Sequence, residues 1–401
     1  MRGYRAAVAF DGERFLPAGA LVLVDDGVIV GVEPADFTVP DGCPVVDHPA
    51  LLPGLIDSHV HLCGDSGPRA LDQLAELSRE QLASVISTAE QQHLRAGVTA
   101  VRDLGDYRWA VVERARTGDG PTVVASGPPI TSRGGHCFFM GGEVTGVDAL
   151  RRAVGERAER GADVVKIMAS GGVLTPDTDL LACQFSLDEM RVVVDEAHRH
   201  GLAVTAHAHG LPAVERSVAA GVDGIEHCSC LTRDGPDLPP DIGTRLAAAG
   251  TYVCPTLGRV PGVEPPPHVQ ARLEAVGADY DQHLVHVAAL YRAGTTLIAG
   301  TDAGIGPTKR HGLVPMSVAD LVGCGMPVAQ ALASATGLAA RACDLDGRTG
   351  RLAVGLDADL LMVDEDPRTD VTTLQRPRAV VSRGREVVLG PQPAATGPTG
   401  T

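Results

Sequence analysis

Between residue 51 and about residue 340 the chain repeats one pattern eight times: a short apolar run, then a longer stretch of helical periodicity. The runs are LIDSHVHL (55–62), VTAVRDLG (98–105), TVVASGPPIT (122–131), DVVKIMASGG (163–172), LAVTAHAHG (202–210), VDGIEHC (222–228), TYVCPTL (251–257) and TTLIAGTDAG (295–304). The stretches 71–96, 147–161, 186–200 and 211–220 are amphipathic, and Gly97, Gly161, Gly201 and Gly221 close them as helix caps do. Strands alternating with helices pair in parallel. Eight such units, with no Gly-x-Gly-x-x-Gly loop after the first strand, favour a closed barrel over an open doubly wound sheet. The expected fold class is α/β, a (β/α)8 TIM barrel over residues 51–349.

The ends of the chain follow another rule. YRAAVAF, ALVLV and VIVGV, within residues 4–36, are separated by the hairpin signals Asp11-Gly12 and Asp26-Gly27. Strand signals return at ADLLMVD (358–364) and AVVSRGREVVL (379–389). Residues 1–50 and 350–390 are therefore expected to pair into a small β-sandwich beside the barrel. Residues 391–401, PQPAATGPTGT, lack apolar periodicity and read as a disordered tail.

With 401 residues and 44% hydrophobic content the chain can fill a large core and a smaller one. A net charge of −16 argues against nucleic acid or an anionic membrane as partner. Nine cysteines without CxxC spacing read as free thiols in a reducing compartment. The N-terminus lacks the apolar region of a signal peptide, and no run reaches the length of a membrane span. A cytoplasmic, soluble protein is expected, with a homo-oligomer left open.

Chemistry-bearing residues collect at the ends of the runs, where barrel enzymes keep their active sites. His59 and His61 alternate with Val60 and so share one face of a strand, a preformed pair of metal ligands. The fourth run supplies Lys166, the fifth His207 and His209, the sixth His227 and the eighth Asp302. Lys166 stands out because only two of the 34 basic residues are lysines, Lys166 and Lys309. A buried lysine is costly unless neutral or functional. Unlike arginine, it can become a neutral amine that reacts with carbon dioxide to give an anionic, two-oxygen metal ligand. The alternative is an ion pair with Asp302 or Glu226.

The motifs PGLIDSHVHL, VVKIMASGG, TAHAHG, GIEHC and GTDAG together resemble the amidohydrolase superfamily over nearly the whole chain. The resemblance is nearest to the binuclear, carboxylated-lysine group that holds Xaa-Pro and Xaa-Arg/Lys dipeptidases and imidazolonepropionase-like proteins. It implies two divalent metal ions, usually zinc. His59, His61 and Asp302 would bind the more buried ion and His207 and His227 the other, with carboxylated Lys166 and a hydroxide bridging them. It further implies hydrolysis of an amide C–N bond, with Asp302 as proton shuttle. The expected substrate is a small dipeptide or N-acyl amino acid bearing a free carboxylate; a cyclic amide or imidazolone is the alternative, and a non-catalytic binding barrel the remote one.

Loops supply candidates for substrate contact. TSRGGHCFFMGG carries His136, read as a donor to the substrate carbonyl or carboxylate and so as catalytic, and Arg133, a possible bidentate carboxylate partner. His209 either touches substrate or orients its neighbour, and the amides of Gly171 and Gly172 are expected to line the pocket. Lys309, Arg310 and His311 read as a solvated basic turn, Tyr252 as core, and Cys63, Cys137 and Cys228 as small apolar fillers.

Overall fold

The computed structural model describes residues 1–389 apart from 40, 117 and 119; the expected tail at 391–401 lies outside the described residues. The two chain ends do pair. Asp26 and Gly27 both take positive φ (44° and 82°), the tight turn that the Asp-Gly step encodes, and join the strands Ala20–Asp25 and Val28–Glu33. Arg2–Phe10 lies between Ala20–Asp25 and Val45–Pro53, and Leu360–Val363, Ala379–Ser382 and Arg385–Glu386 extend the far side.

The result is one mixed eight-stranded sheet, not two stacked layers. The sheet curls until Val28 bridges Asp357 and the Ala358 amide donates to the Gly27 carbonyl at 2.8 Å. Its concave side holds an apolar cluster that includes Tyr4, Val22, Ile29, Leu360 and Met362. Curling lets a single sheet enclose its own core, so no second layer is needed. The strand Val45–Pro53 runs past residue 50 and passes through Gly54 into the strand Leu55–Val60. Only glycine fits there, because a Cβ would sit 2.0 Å from the Thr99 hydroxyl.

Beyond Gly54 the expected alternation holds for seven of the eight runs. Leu55–Val60, Val98–Asp103 and Thr122–Ala125 pair in parallel, as do Val164–Met168, Ala203–Gly210, Gly224–Thr232 and Tyr252–Cys254. The third run stops at Ala125, before Pro128 and Pro129, which carry no N–H for a ladder. Ile130 then resumes pairing, donating to Lys166 O and accepting from Met168 N, both at 2.8 Å. The eighth run is not a continuous strand. It touches its neighbours through bridges at Leu297 and Ala303, and Ser58 N–H reaches Ala299 O at 3.0 Å.

The helices begin where side chains cap them. Ser78 with Gln81, and Ser186 with Glu189, form capping boxes ahead of Arg79–Arg95 and Leu187–Arg199. The first helix therefore starts at residue 79 rather than 71, with a short 3₁₀ turn at Leu74–Glu76 before it. Val147–Arg160 and Leu211–Ala220 follow the pattern closely, ending at left-handed Gly161 and Gly221. Their apolar faces and the inner strands share one large continuous core.

Candidate metal centre

The ends of the inner strands point their polar side chains into one small space. His59 is the last residue but one of the strand Leu55–Val60, and His61 follows the strand on the same face. Asp302 adopts a left-handed backbone (φ 61°) and is pinned by its amide to the His59 carbonyl at 2.8 Å. This turns its carboxylate onto both rings, with Oδ1 lying 3.2 Å from His59 Nε2 and 3.0 Å from His61 Nε2.

The tautomers follow from what lies behind each ring. His59 Nδ1 faces the Glu226 carboxylate at 2.7 Å, and His61 Nδ1 faces the Gly105 carbonyl at 3.4 Å. Both partners can only accept, so each Nδ1 carries hydrogen and each neutral ring presents its Nε2 lone pair to an anionic oxygen. Lone pairs converging on a carboxylate are repulsive unless protons or a cation stand among them. The donor set therefore fits a divalent cation. With protons in that role, Asp302 holds the His61 pKa up against the effect of burial. Burial would raise the Asp302 carboxyl, but His59 and His61 outweigh it and hold it well below the usual range.

A second group stands alongside. His207, His209 and His227 bring ligand atoms within 4.8 Å of one another. His207 Nε2 donates to the Gly171 carbonyl at 3.0 Å, which leaves the Nδ1 lone pair free. His209 Nδ1 is bonded to the Ser229 hydroxyl (3.0 Å) and His227 Nδ1 to the Thr256 hydroxyl (2.9 Å), so both turn Nε2 inward. Outer partners that orient rings in this way are the usual support of metal-binding imidazoles. Burial drives the pKa of His207 and His227 well down and that of His209 to about 4, so all three are neutral bases able to bind a cation. His227 holds a left-handed backbone (φ 67°), a strained conformation of the kind concentrated at functional sites. The His59 and His227 rings, 5.4 Å apart, join the two groups.

Lys166 lies at the middle of Val164–Met168 with 1% of its surface exposed. Its ammonium makes no hydrogen bond or ion pair among the described residues. The alternative of pairing with Glu226 or Asp302 is not realised, because Glu226 is taken by Arg102 (2.9 Å), Thr205 (2.6 Å) and His59, and Asp302 by the two histidines. Burial lowers the Lys166 pKa, partly offset by Glu226 and Asp302. Lys166, the histidines and Asp302 surround a cavity of about 30 Å³. Arg102 escaped the sequence reading, and Glu226 entered it only as a possible partner of Lys166, not as the residue behind His59. Their only local signal was a charge inside an otherwise apolar run.

His136 belongs to the same space. Its ring lies 4.6 Å from that of His207, its Nδ1 is 3.0 Å from the Thr175 hydroxyl, and its amide donates to Gln184 at 2.8 Å. Other expectations need correction. Arg133 is exposed and lines neither cavity, because the loop turns it outward. The Gly171 and Gly172 amides are not free for substrate, since they donate to Asp179 O and the Thr178 hydroxyl. Gly172 instead makes room for His136, whose ring a Cβ there would meet at 2.3 Å. Tyr252, at the exposed start of its strand, is only partly buried. Cys63, Cys137 and Cys228 are buried as expected, and burial raises their thiol pKa values, with hydrogen bonding to Cys230 the larger cause at Cys228.

The basic turn is not solvated as a whole. Arg310 is exposed, but His311 is buried against His93 and the Gly64 carbonyl. Lys309 folds inward to the rim of a second, larger cavity of about 390 Å³ that opens from His209, His227 and Asp302. The walls of this cavity are mainly apolar, with Leu174, Leu231, Val263, Val269, Leu273 and Ile305 among them.

Imidazole and carboxylate donors gathered at the carboxyl ends of parallel strands mark the class of metal-dependent enzymes. Comparison with known proteins narrows this. A model of the amidohydrolase family matches residues 50–387. The ochratoxinase of Aspergillus niger is 31% identical over 383 residues, covering 86% of this chain and 76% of that protein. The imidazolonepropionase of Salinispora tropica is 26% identical over 392 residues, covering 89% and 88%. Among solved structures, a Xaa-Pro dipeptidase with bound methionine in its active site superposes with a TM-score of 0.83 at 26% identity, covering 96% of this chain and 99% of that one. The chain belongs to the amidohydrolase family and is a hydrolase acting on carbon–nitrogen bonds.

Proposed function

We propose that the protein hydrolyses the amide bond of an N-acyl amino acid or dipeptide that carries a free carboxylate and a sizeable apolar group. The observation that carries this reading is the continuity of the donor cluster with the mainly apolar 390 Å³ cavity, a volume that leaves room for an apolar group beside the scissile amide. The relatives act in the same direction, since a Xaa-Pro dipeptidase is by its name a cleaver of amide bonds next to an amino acid. The hydrogen bonds from Ile130 to Lys166, from Met168 to Ile130 and from Ser58 to Ala299 support reading the eight runs as one closed barrel.

Two divalent ions, zinc by preference, would be held by His59, His61 and Asp302 and by His207 and His227, with His209 beside the second group. Such ions lower the pKa of a bound water and polarise a carbonyl. Burial lowers the Lys166 pKa and so favours the free amine, which would add through its nitrogen to carbon dioxide. Carbamate formation makes one N–C bond and releases one proton, and the anionic group would add oxygen donors to the set that would hold the ions. Asp302 takes the proton of the attacking water on the oxygen not facing the imidazoles and delivers it to the leaving nitrogen as the C–N bond breaks. The products are a carboxylic acid and an amine. The Thr175 hydroxyl accepts from the Cys137 amide and donates to His136 Nδ1. His136 then offers its Nε2–H to the acyl oxygen.

Metal analysis combined with rates against a library of N-acyl amino acids, dipeptides and cyclic amides tests the reading. Asp302→Asn should keep most of the metal and lose on the order of 10²- to 10⁴-fold in kcat. Turnover near wild type would remove Asp302 from proton transfer, and hydrolysis of cyclic amides alone would overturn the substrate class.

A further inference from the structure

Lys309 is the second of the two lysines, and its surroundings are unlike those of a surface charge. Its ammonium donates to the Thr256 carbonyl at 2.7 Å and the Gly258 carbonyl at 2.8 Å, which fixes it at the wall of the large cavity. No carboxylate lies within 4.0 Å of it among the described residues. An ammonium has three donors, so one remains for a ligand. Thr256 ties the ammonium to the donor cluster, because its hydroxyl holds His227 Nδ1 while its carbonyl holds Lys309. Among the arginines nearby, Arg259 lines the same cavity at its exposed edge, and Arg272 sits on the wall helix Pro267–Ala275 without lining it. Arg259 is exposed and stacks on Tyr280 at 4.3 Å, and Arg272 is bound to main-chain carbonyls of the loop 172–178.

Partial burial of a cation is costly, and the cost rises when metal ions occupy the cluster beside it. An anion seated between Lys309 and the cluster removes that cost. A carboxylate fits the remaining donor, and the apolar wall opposite fits the rest of such a molecule. We propose that Lys309 anchors the carboxylate of the substrate and thereby selects acylated amino acids over amides without an acid group. The proposal rests on the reading that the protein cleaves such amides.

A matched pair of compounds tests it: N-benzoyl-leucine and N-benzoyl-3-methylbutylamine, which lacks only the carboxylate. With the metal-loaded wild type, the acid should be preferred on the order of ten- to a hundredfold in kcat/KM, mainly through KM. Lys309→Gln, which can still hydrogen-bond one carbonyl, should erase this preference by raising KM for the acid, with metal content unchanged. Calorimetric binding of N-benzoyl-leucine should weaken in the variant by the same factor, a readout that does not require turnover. A wild type that does not discriminate between the two compounds overturns the proposal whatever the variant does. So does a folded, metal-replete Lys309→Gln that keeps the preference, which would leave Lys309 as a staple for residues 256–258 only. If the wild type binds the acid through Lys309 yet cleaves no amide, the anchor stands and the proposed hydrolysis fails.

Discussion

At the residue scale, the chemistry depends on which polar groups are matched and which are left over. Glu226 is fully buried, but Arg102 and Thr205 hold its Oε1 and His59 Nδ1 lies 2.7 Å from its Oε2; burial would raise its pKa, and Arg102 and His59 overcome that and hold it low. Lys166 is as deeply buried and has no such match. A carbamate bridging two cations would resolve this, because the buried amine becomes an anion surrounded by positive charge. Lys166→Ala should therefore lose bound metal, measured by elemental analysis, and short carboxylic acids such as formate or acetate should restore part of both metal and activity. Full metal occupancy in that variant would show that no bridging carbamate is needed.

At the scale of elements, the helix Pro267–Ala275 forms one wall of the large cavity, and Arg272 on it donates to Pro176 O, Gly172 O (3.2 Å) and Thr178 O (2.8 Å). The loop it grips also supplies the Gly171 carbonyl that orients His207 and the Thr175 hydroxyl that orients His136. The substrate wall and two site histidines are thus tied through one guanidinium. Arg272→Ala should raise KM about three- to tenfold, roughly the net value of one ordinary hydrogen bond, with metal content unchanged. Steady-state kinetics with proteolysis across residues 263–278 would check this. An unchanged KM and unchanged cleavage would detach the wall helix from the site.

At the scale of the whole molecule, His93 and His311 lock the helix Arg79–Arg95 to the turn after the eighth run. His311 Nε2 donates to Gly64 O, so its Nδ1 must accept from His93 Nε2 at 3.0 Å, and both rings are neutral. Burial lowers both pKa values, that of His93 well below 6.5 and that of His311 to about 4. A histidine with a depressed folded pKa contributes stability above its unfolded pKa, near 6.5, and loses it as pH falls toward the folded value. Asp57 and Asp106, raised by burial to about 7 and about 8, act with the opposite sign, so the total stability curve mixes the two effects. The difference between wild type and His93→Gln separates them. Denaturant melts of the metal-free protein should show that difference moving against the wild type as pH falls from about 6.5 to about 4. A constant difference across that range would mean that the pair does not titrate on unfolding.

The amino-acid sequence alone determined the alternation of strands and helices, the shared face of His59 and His61, the glycine-capped ends at Gly161 and Gly221, and the chemical oddity of Lys166. Each of these follows from local backbone geometry or from side-chain chemistry, and neither depends on distant partners. Tertiary structure decided the rest. Which carboxylate Arg102 meets, how a left-handed Asp302 faces two imidazoles, why the amides of Gly171 and Gly172 are occupied, and that Lys309 turns inward while Arg310 does not all depend on segments far apart in the chain being packed together. Periodicity carries no information about such pairings, because a buried polar group takes whichever partner the fold brings within reach.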